Sequence, residues 1–282
     1  MNAPKLDRLS ALLEGLAPVV TLLPDEGPAE HAAHANPGTR SSASPNGALC
    51  LHLLIRGEAR CELAEQTLNL TAPALVVAKA DALVHWGAGS FGEAHHVVAA
   101  RADLMGPVAD LFLQEFESPR VVAQAEGEPV LAQAMALMAS ELQAPRCGHP
   151  ALLNRAGDIL FIGLLRHLVA HPGLSGAGLF AGLADPRVAR ALVAMHQRPN
   201  WGWTLEHLAH EAGMSRTAFA TTFRQVMQKT PGRYLAAVRL AMAQRAVDQG
   251  KGLKQAARVS GYRNVSALSR ALSREFVAQK GV

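Results

Sequence analysis

The sequence predicts an α+β fold in which an N-terminal β-barrel or sandwich with a helical extension precedes an all-α domain. Three observations support this fold class. Short apolar runs separated by turn residues fill residues 49–99, and two long segments of helical character follow within 128–170. Nearer the C-terminus, a pattern of short helix, glycine corner and second helix occurs twice.

Composition places the chain among globular proteins. Of its 282 residues, 49% are hydrophobic and 18% are charged, which allows a packed core and excludes wholesale disorder. No apolar stretch is long enough to span a bilayer, and Met1–Ser10 lacks the apolar core of a signal peptide, so we expect a cytoplasmic protein. The three cysteines are too few for a disulfide scaffold and lack zinc-site spacing.

Charge is distributed unevenly along the chain. Residues 1–183 hold 11 basic and 18 acidic side chains, a balance of −7, whereas residues 184–282 hold 16 and 5, a balance of +11. This asymmetry indicates a nucleic-acid-binding module joined to a module that does not bind nucleic acid. Surface charge that simply segregates by domain is the alternative.

The N-terminal part predicts a helix, a loop and five strands. Leucines recur at helical spacing within residues 1–20, and residues 24–47 are rich in loop-forming residues. Turn residues, among them Gly87–Ser90, separate short apolar runs. The predicted strands are Leu49–Ile55, Ala59–Leu63, Thr67–Leu70, Leu75–Val77 and His95–Ala99.

After Arg101 the pattern becomes helical. Pro129–Gln143 and Ala151–Val169 predict long helices, and the second is apolar around more than half of its circumference. We expect that helix to be deeply buried or to pack against another subunit. Pro172–Gly182, with four glycines and one proline, predicts a linker, and Asp185-Pro186 predicts the start of the next helix.

Residues 203–227 predict two helices joined by a tight turn. Thr204 would cap the first helix, Gly213 would end it, and Ser215 would cap the second, which is buried through Phe219 and Phe223. In a helix-turn-helix unit the second helix enters the major groove of DNA. Its outward face carries the candidate contacts Arg216, Thr217, Ala220, Thr221 and Arg224.

The same pattern returns 48 residues later, from Gly213 to Gly261. Leu253–Val259 predicts the first helix of this second unit, and Asn264 would cap its second helix. A helix at Tyr234–Asp248 would hold the units rigidly, so that one chain reads two major-groove segments about one helical turn apart. The candidate contacts of the second unit are Arg263, Ser266, Arg270 and Arg274.

Different roles are expected within these two sets. Arg270 is the best candidate for base readout, with a solvated surface charge as the alternative. The other arginines are expected to hold phosphates, because most protein–DNA hydrogen bonds go to the backbone. For Thr217 and Thr221, base contact and a merely exposed position both remain open.

Residues 185–276 resemble the DNA-binding domain of the AraC/XylS family of bacterial transcription regulators. Thr221-Thr222 stand where basic residues are expected in this branch of the family, so a weakly specific DNA-binding protein is one alternative function. The residues that carry the resemblance are Trp203–Ala209, Ala212–Arg216, Phe219, Phe223-Arg224, Thr230-Pro231, Tyr234-Leu235, Arg239-Leu240, Ala243, Gly261-Tyr262, Ser269-Arg270 and Arg274–Phe276.

The N-terminal part resembles the cupin-type sensor domain of that branch, through Leu51–Glu58 and His85. The resemblance implies a cupin-like sensor and dimerisation domain at 1–183, with a β part at about 49–125 and helices at about 128–170, and a double helix-turn-helix domain at 184–282. It further implies a sequence-specific regulator that activates transcription. Its implied partners are double-stranded DNA, a small-molecule effector, RNA polymerase and a second copy of the chain, with no membrane and no cofactor.

Two other hypotheses concern the cysteines and histidines of the N-terminal part. Cys50 and Cys61 lie on strands that are predicted to be neighbours, so a redox-driven disulfide and a pair of small buried hydrophobes are alternatives. Histidines are numerous, but the H-x-H pattern of metal-binding cupins is absent, so we expect no metal. The weak candidate ligands are His52 and His85, with His31, His34, His95 and His96 nearby in sequence.

An enzyme is the least supported function class. The sequence has no glycine-rich phosphate loop, no nucleophile elbow and no H-E-x-x-H motif. A metal-dependent cupin enzyme with a helical appendage is the enzymatic alternative, and it would require at least three N-terminal histidines around one metal ion.

Overall fold

The chain divides into two compact units. The computed structural model describes residues 7–23, 47–63, 66–88, 95–106, 108–123, 128–172 and 177–280, without the side chains of 275–280. The sheet unit contains Pro18–Met105 and Leu113–Leu168, and the helical unit contains Met1–Ala17, Gly106–Phe112 and Val169–Val282. The domain boundary at 183/184 stays a prediction. No helix within the described residues is long and apolar enough to cross a bilayer.

The sheet unit is a sandwich of two antiparallel sheets, which is one of the two β architectures predicted from the sequence. One sheet has the strand order β1-β7-β2-β5-β8 and the other β4-β3-β6, and across the described ranges they do not close into a barrel. The strands are β1 (Pro18–Leu22), β2 (Ala48–Arg56), β3 (Glu58–Leu63), β4 (Gln66–Thr71), β5 (Ala74–Lys79), β6 (His85–Ala88), β7 (His96–Leu104) and β8 (Arg120–Ala123).

The central strand β2 is buried on both faces. Leu54 belongs to a cluster with Cys61, Val76 and Trp86 that fills the space between the two sheets. Because side chains alternate along a strand, Leu53 faces the opposite side, where it lines a groove with helix α3 (Pro129–Gln143). Sheet and helices therefore form successive layers around two apolar interfaces.

Helix α3 and helix α4 (His149–Ala170) confirm the two predicted long helices. They pack closely at Gly163, where a Cβ atom would lie 2.8 Å from the Cα atom of Leu131. The apolar side of α4 is buried at Leu160, Phe161 and Leu164. Deep burial was one of the two predictions for this segment.

Three strands differ from the sequence expectation. The predicted helix over residues 1–20 is shorter, α1 (Arg8–Leu16), because Ala17 adopts a left-handed conformation before Pro18 begins β1. Strand β6 includes Gly87, which was predicted as a turn, and pairs with β3. Strand β8 lies in the region predicted to be helical and pairs with the edge of β5.

The remaining helices form the helical unit. They are α2 (Ala109–Leu113), α5 (Leu179–Ala184), α6 (Pro186–Gln197), α7 (Leu205–Ala212), α8 (Arg216–Met227), α9 (Pro231–Asp248), α10 (Leu253–Val259) and α11 (Val265–Lys280). Asp185 caps α6 as predicted, by accepting from the amides of Arg187 and Val188. Helix α5 occupies the end of the segment that was predicted as a linker, since Leu179 and Phe180 are buried.

Helix α1 packs against α6 within this unit. Its Leu12 and Leu16 are fully buried, and Arg8 donates a hydrogen bond from Nη1 to the carbonyl oxygen of Leu183 over 2.8 Å. The N-terminal helix is thus part of the same apolar core as the C-terminal helices.

Candidate nucleic-acid interface

The first helix-turn-helix unit consists of α7, a three-residue turn and α8. Thr204 caps α7, since its Oγ1 accepts from the amide of His207 over 3.2 Å. Gly213 ends the helix at φ +66°, and the amide of Met214 returns to the carbonyl of Ala209. Ser215 then caps α8 by accepting from the amide of Ala218. All three predicted boundary residues are confirmed.

Helix α8 has one buried and one exposed face. Phe219 and Phe223 are fully buried, whereas Arg216, Thr217, Thr221 and Arg224 are exposed and Ala220 is partly exposed. Positions 217, 221 and 224 are separated by four and three residues, so they share a face of the helix. The structure therefore places Thr217, Thr221 and Arg224 on one accessible face of α8, with Arg216 exposed and Ala220 partly exposed beside it.

The second unit repeats this arrangement with α10 and α11. Gly261 makes the corner at φ +75°, and Asn264 caps α11 by accepting from the amide of Ala267 over 2.8 Å. Leu268 is fully buried on the inner face. The predicted contacts of this unit, Arg263, Ser266, Arg270 and Arg274, are all exposed.

The segment Pro199–Trp201 joins the two units, a role that was not predicted from the sequence. Arg239 of α9 donates from Nε to the Pro199 carbonyl over 2.8 Å and from Nη2 to the Trp201 carbonyl over 2.7 Å. On the other side, a Cβ atom at Gly261 would lie 2.7 Å from the Cα atom of Asn200. The turn of the second unit therefore rests against the segment that leads into the first.

A buried histidine connects α6 with α9. His196 Nε2 lies 2.7 Å from the hydroxyl oxygen of Tyr234, and the Tyr234 ring meets Phe223 edge-on with ring centroids 6.0 Å apart. Burial lowers the pKa of His196 from 6.5 to about 4, so the ring is neutral at physiological pH. These contacts attach α8 to the helices behind it.

An open groove of about 790 Å³ runs beside the exposed face of α8. It is bounded by the first residues of α9, among them Gly232. A Cβ atom added at Gly232 would have no neighbouring atom within 4 Å, so the groove is open at this position. The lining residues are Leu205, Ala220, Thr221, Arg224, Gln225, Gln228, Thr230, Pro231 and Gly232. Gln225 and Gln228 join the candidate surface here, although the sequence analysis did not select them.

The cysteine pair is not arranged as the sequence analysis expected. Strand β2, with Cys50, pairs with β5 and β7, whereas β3, with Cys61, pairs with β4 and β6. The expectation that these strands are neighbours is therefore wrong, because the chain changes sheets at Gly57. Burial raises the pKa of Cys50, and it raises that of Cys61 to about 11, so both favour the thiol over the reactive thiolate.

The candidate metal ligands are likewise separated. His52 is buried between the sheets with its ring 6.3 Å from that of Trp86, and His85 lies on β6. Across the described ranges, no group of three or more histidine, cysteine or acidic side chains could hold a metal ion. His31 and His34 lie outside the described residues.

A second groove, of about 600 Å³, lies in the sheet unit between β2 and α3. Its floor is formed by buried apolar side chains, and Ser140 and Gln143 supply hydrogen-bonding groups on one wall. No charged residue lines it. The lining residues are Leu53, Ile55, Pro73, Ala132, Met135, Ala136, Ala139, Ser140 and Gln143.

Comparison with known families agrees with both halves of this description. A family model described as Cupin matches residues 78–170, and one described as Helix-turn-helix domain matches residues 208–278. The first covers α3, α4 and part of the sandwich, and the second covers the second helix-turn-helix unit and all of the first except the start of α7.

Curated relatives match over part of their length. HTH-type transcriptional regulator AlkR of Acinetobacter baylyi is 34% identical over 140 residues, which is 49% of this chain and 45% of AlkR. A Streptomyces lividans protein described as an AraC-like transcription regulator is 38% identical over 118 residues, 41% of this chain and 38% of that protein. The chain thus spans less than half the length of these relatives.

Among solved structures, ToxT from Vibrio cholerae aligns with a TM-score of 0.34 and 10% identity, over 79% of this chain and 83% of ToxT.

Proposed function

We propose that this chain, which carries the paired cupin and helix-turn-helix domains of AraC-family transcriptional regulators, binds double-stranded DNA at specific sequences and controls nearby transcription. The observation that carries the proposal is the repetition of one exposed face on two capped helices, α8 and α11. Both faces present arginine and hydroxyl side chains, which suit phosphate and base contacts.

The direct test is binding of the purified full chain to the DNA upstream of its own gene. The titration is run at two salt concentrations with random-sequence DNA as competitor, because phosphate contacts alone give salt-sensitive, sequence-independent binding. Retained binding in the presence of competitor is expected. A specificity ratio near one would instead support the weakly specific alternative.

Arg270→Ala tests the assignment of the second recognition helix. We expect a loss of about 1–3 kcal/mol in binding to the upstream DNA, together with relaxed preference at one base position. Arg155→Ala is the matched control, since Arg155 is an exposed arginine of the sheet unit. Unchanged affinity and base preference in the Arg270 variant would contradict the assignment.

We propose further that the sheet unit senses a small molecule in the groove between β2 and α3. The space between the sheets is occupied by the unit's own core, whereas this groove is open and lined without charges. An uncharged molecule with an apolar body and one hydrogen-bonding end would fit. Ala136→Trp should abolish the thermal shift that such a molecule causes; an unchanged shift would place its site elsewhere.

Dimerisation and contact with RNA polymerase belong to the same proposal. Leu137 of α3 and Ile159 of α4 are 40% and 43% exposed, which leaves apolar area for a second copy of the chain. Light scattering should show a dimer for the wild type and a monomer for Ile159→Lys. Identical masses would show that this surface does not form the dimer.

Transcription in vitro with RNA polymerase should increase when the full chain is added, and a decrease would indicate a repressor.

A further inference from the structure

The two helix-turn-helix units match position by position, which allows their charges to be compared. In the first helices, Gly213 and Gly261 define an offset of 48 residues. In the second helices, the capping residues Ser215 and Asn264 define an offset of 49. The buried residues Phe219 and Leu268 obey the second offset, so the alignment holds inside the core as well as at the turns.

At four matched positions the second unit carries more positive charge than the first. Lys254 and Arg258 of α10 stand where α7 has Glu206 and His210. On the recognition helices, Arg270 and Arg274 stand where α8 has Thr221 and Gln225. All eight of these residues are exposed. At two other matched positions the first unit carries the arginine, since Arg216 and Arg224 stand where α11 has Val265 and Ser273. The net difference therefore lies in α10 and the turn: residues 204–225 balance two acidic against two basic side chains, whereas residues 252–274 hold five basic side chains and no acidic one.

One of the two cations of the first unit is also engaged within the protein. Arg216 Nη1 lies 2.8 Å from Glu206 Oε1 on the exposed surface. Within the described residues, neither Lys254 nor Arg258 forms an ion pair of this kind. Phosphates that approach the first unit must compete with Glu206, and those that approach the second unit meet free cations.

From this asymmetry we infer that the units have unequal roles on DNA. The second unit anchors the chain to the phosphate backbone through Lys254 and Arg258, which lie on α10, the helix before its recognition helix. The first unit reads sequence mainly through uncharged side chains, Thr217, Ala220 and Thr221, and contributes less to electrostatic affinity than the second unit, which adds these phosphate contacts to the base contact proposed for Arg270. In a helix-turn-helix complex the first helix crosses the DNA backbone, which is where Lys254 and Arg258 lie. This inference rests on the proposed DNA-binding function and assigns its two halves.

The dependence of affinity on salt tests this assignment without a known operator. The full chain and its variants are titrated with a labelled duplex of mixed sequence, about three helical turns long, between about 50 and 200 mM salt. Each phosphate contact contributes about 0.9 to the slope of log affinity against log salt concentration. Lys254→Gln and Arg258→Gln should each lower the magnitude of that slope by about 0.9. Arg155→Gln, which removes an exposed charge of the sheet unit, should leave it unchanged.

Changes in the first unit should behave differently. Glu206→Gln frees Arg216, so we expect tighter binding to the mixed-sequence duplex and a slope that steepens by up to about 0.9. Thr221→Ala should leave the slope unchanged but alter the sequences that the chain selects from a pool of random duplexes.

Wild-type slopes in Lys254→Gln and Arg258→Gln would overturn the inference while leaving DNA binding intact. If the wild type itself shows no salt-dependent binding to any duplex, the proposed function fails instead. Circular dichroism of each variant confirms folding, and the exposure of all these side chains makes a folding defect unexpected.

Discussion

His196 is a polar side chain that the helical unit buries and keeps neutral. Its only described hydrogen-bond partner, the hydroxyl of Tyr234, lies on another helix, 38 residues away in sequence. A histidine among apolar residues could be expected to be buried, but nothing in the sequence pairs it with Tyr234. The cap residues Thr204, Ser215 and Asn264, by contrast, were predicted correctly, because a cap depends only on residues within one turn of it.

Burial of His196 makes folding depend on pH. Its folded pKa of about 4 lies below the ordinary 6.5, so the unfolded chain takes up a proton first as the pH falls. The contribution of His196 to the free energy of unfolding is therefore fully present above about pH 6.5. It is lost as the pH falls from 6.5 to 4, by about 1.4 kcal/mol per pH unit. Urea unfolding at a series of pH values measures this slope.

His196→Gln should flatten that slope, because no proton is then bound on unfolding at this position. His207→Gln is the control, since His207 is exposed, and it should keep the wild-type pH dependence. If the His196 variant retained the full slope, another group would have to account for it.

Among the elements, the strands show which segments an apolar sequence pattern can predict and which it cannot. The apolar runs predicted five strands in about the right places, because each of them alternates or is wholly buried. Strands β1, β6 and β8 were missed, since they have four or five residues each and form only by pairing with distant segments. Strand β1, for example, pairs with β7 about eighty residues later along the chain.

The glycine corners of the helical unit differ in what surrounds them, which gives a matched pair of substitutions. Gly250 and Gly261 both have a positive φ, +77° and +75°. A Cβ atom at Gly250 would meet nothing within 4 Å, whereas at Gly261 it would meet the backbone of Asn200. Gly250→Ala should therefore cost only the left-handed strain, about 1 kcal/mol, and Gly261→Ala about 2–4 kcal/mol.

Urea unfolding of the full chain compares the two variants. Equal losses of stability at both positions would mean that the turn of the second unit can move away from Pro199–Trp201. The segment would then not fix the two helix-turn-helix units against each other.

On the scale of the whole molecule, the sequence predicted the double helix-turn-helix unit and its candidate contacts but not how the units are joined. The glycine corner and cap pattern repeats within the printed sequence, so the repeat could be found by inspection. Arg239 donates hydrogen bonds to the carbonyl oxygens of Pro199 and Trp201, which lie about forty residues earlier in the sequence. Every residue has such a backbone carbonyl. No residue type marks such an acceptor in advance.

The joined units predict a strict spacing between the two DNA segments of the proposed complex. Insertion of one base pair between the two contacted segments of a selected binding site rotates and shifts one segment relative to the other, so one unit loses its base contacts. We expect affinity to fall about tenfold or more, since each lost base contact costs about 1–3 kcal/mol. The same insertion outside the contacted segments should have no effect. Equal affinity for both insertions would show that the units move independently.

Helix α1 has a consequence for the exchange of domains between proteins that contain this helical unit. It packs on α6 with Leu12 and Leu16 fully buried, although it lies at the opposite end of the chain from the helices it covers. A gene fusion that joins only the residues after 184 to a foreign sensor domain would lack α1, so the face of α6 that α1 packs against would become exposed. The hybrid protein would expose an apolar surface that promotes aggregation. Loss of DNA binding by an aggregated hybrid would therefore not show that the transferred helices are unable to bind DNA.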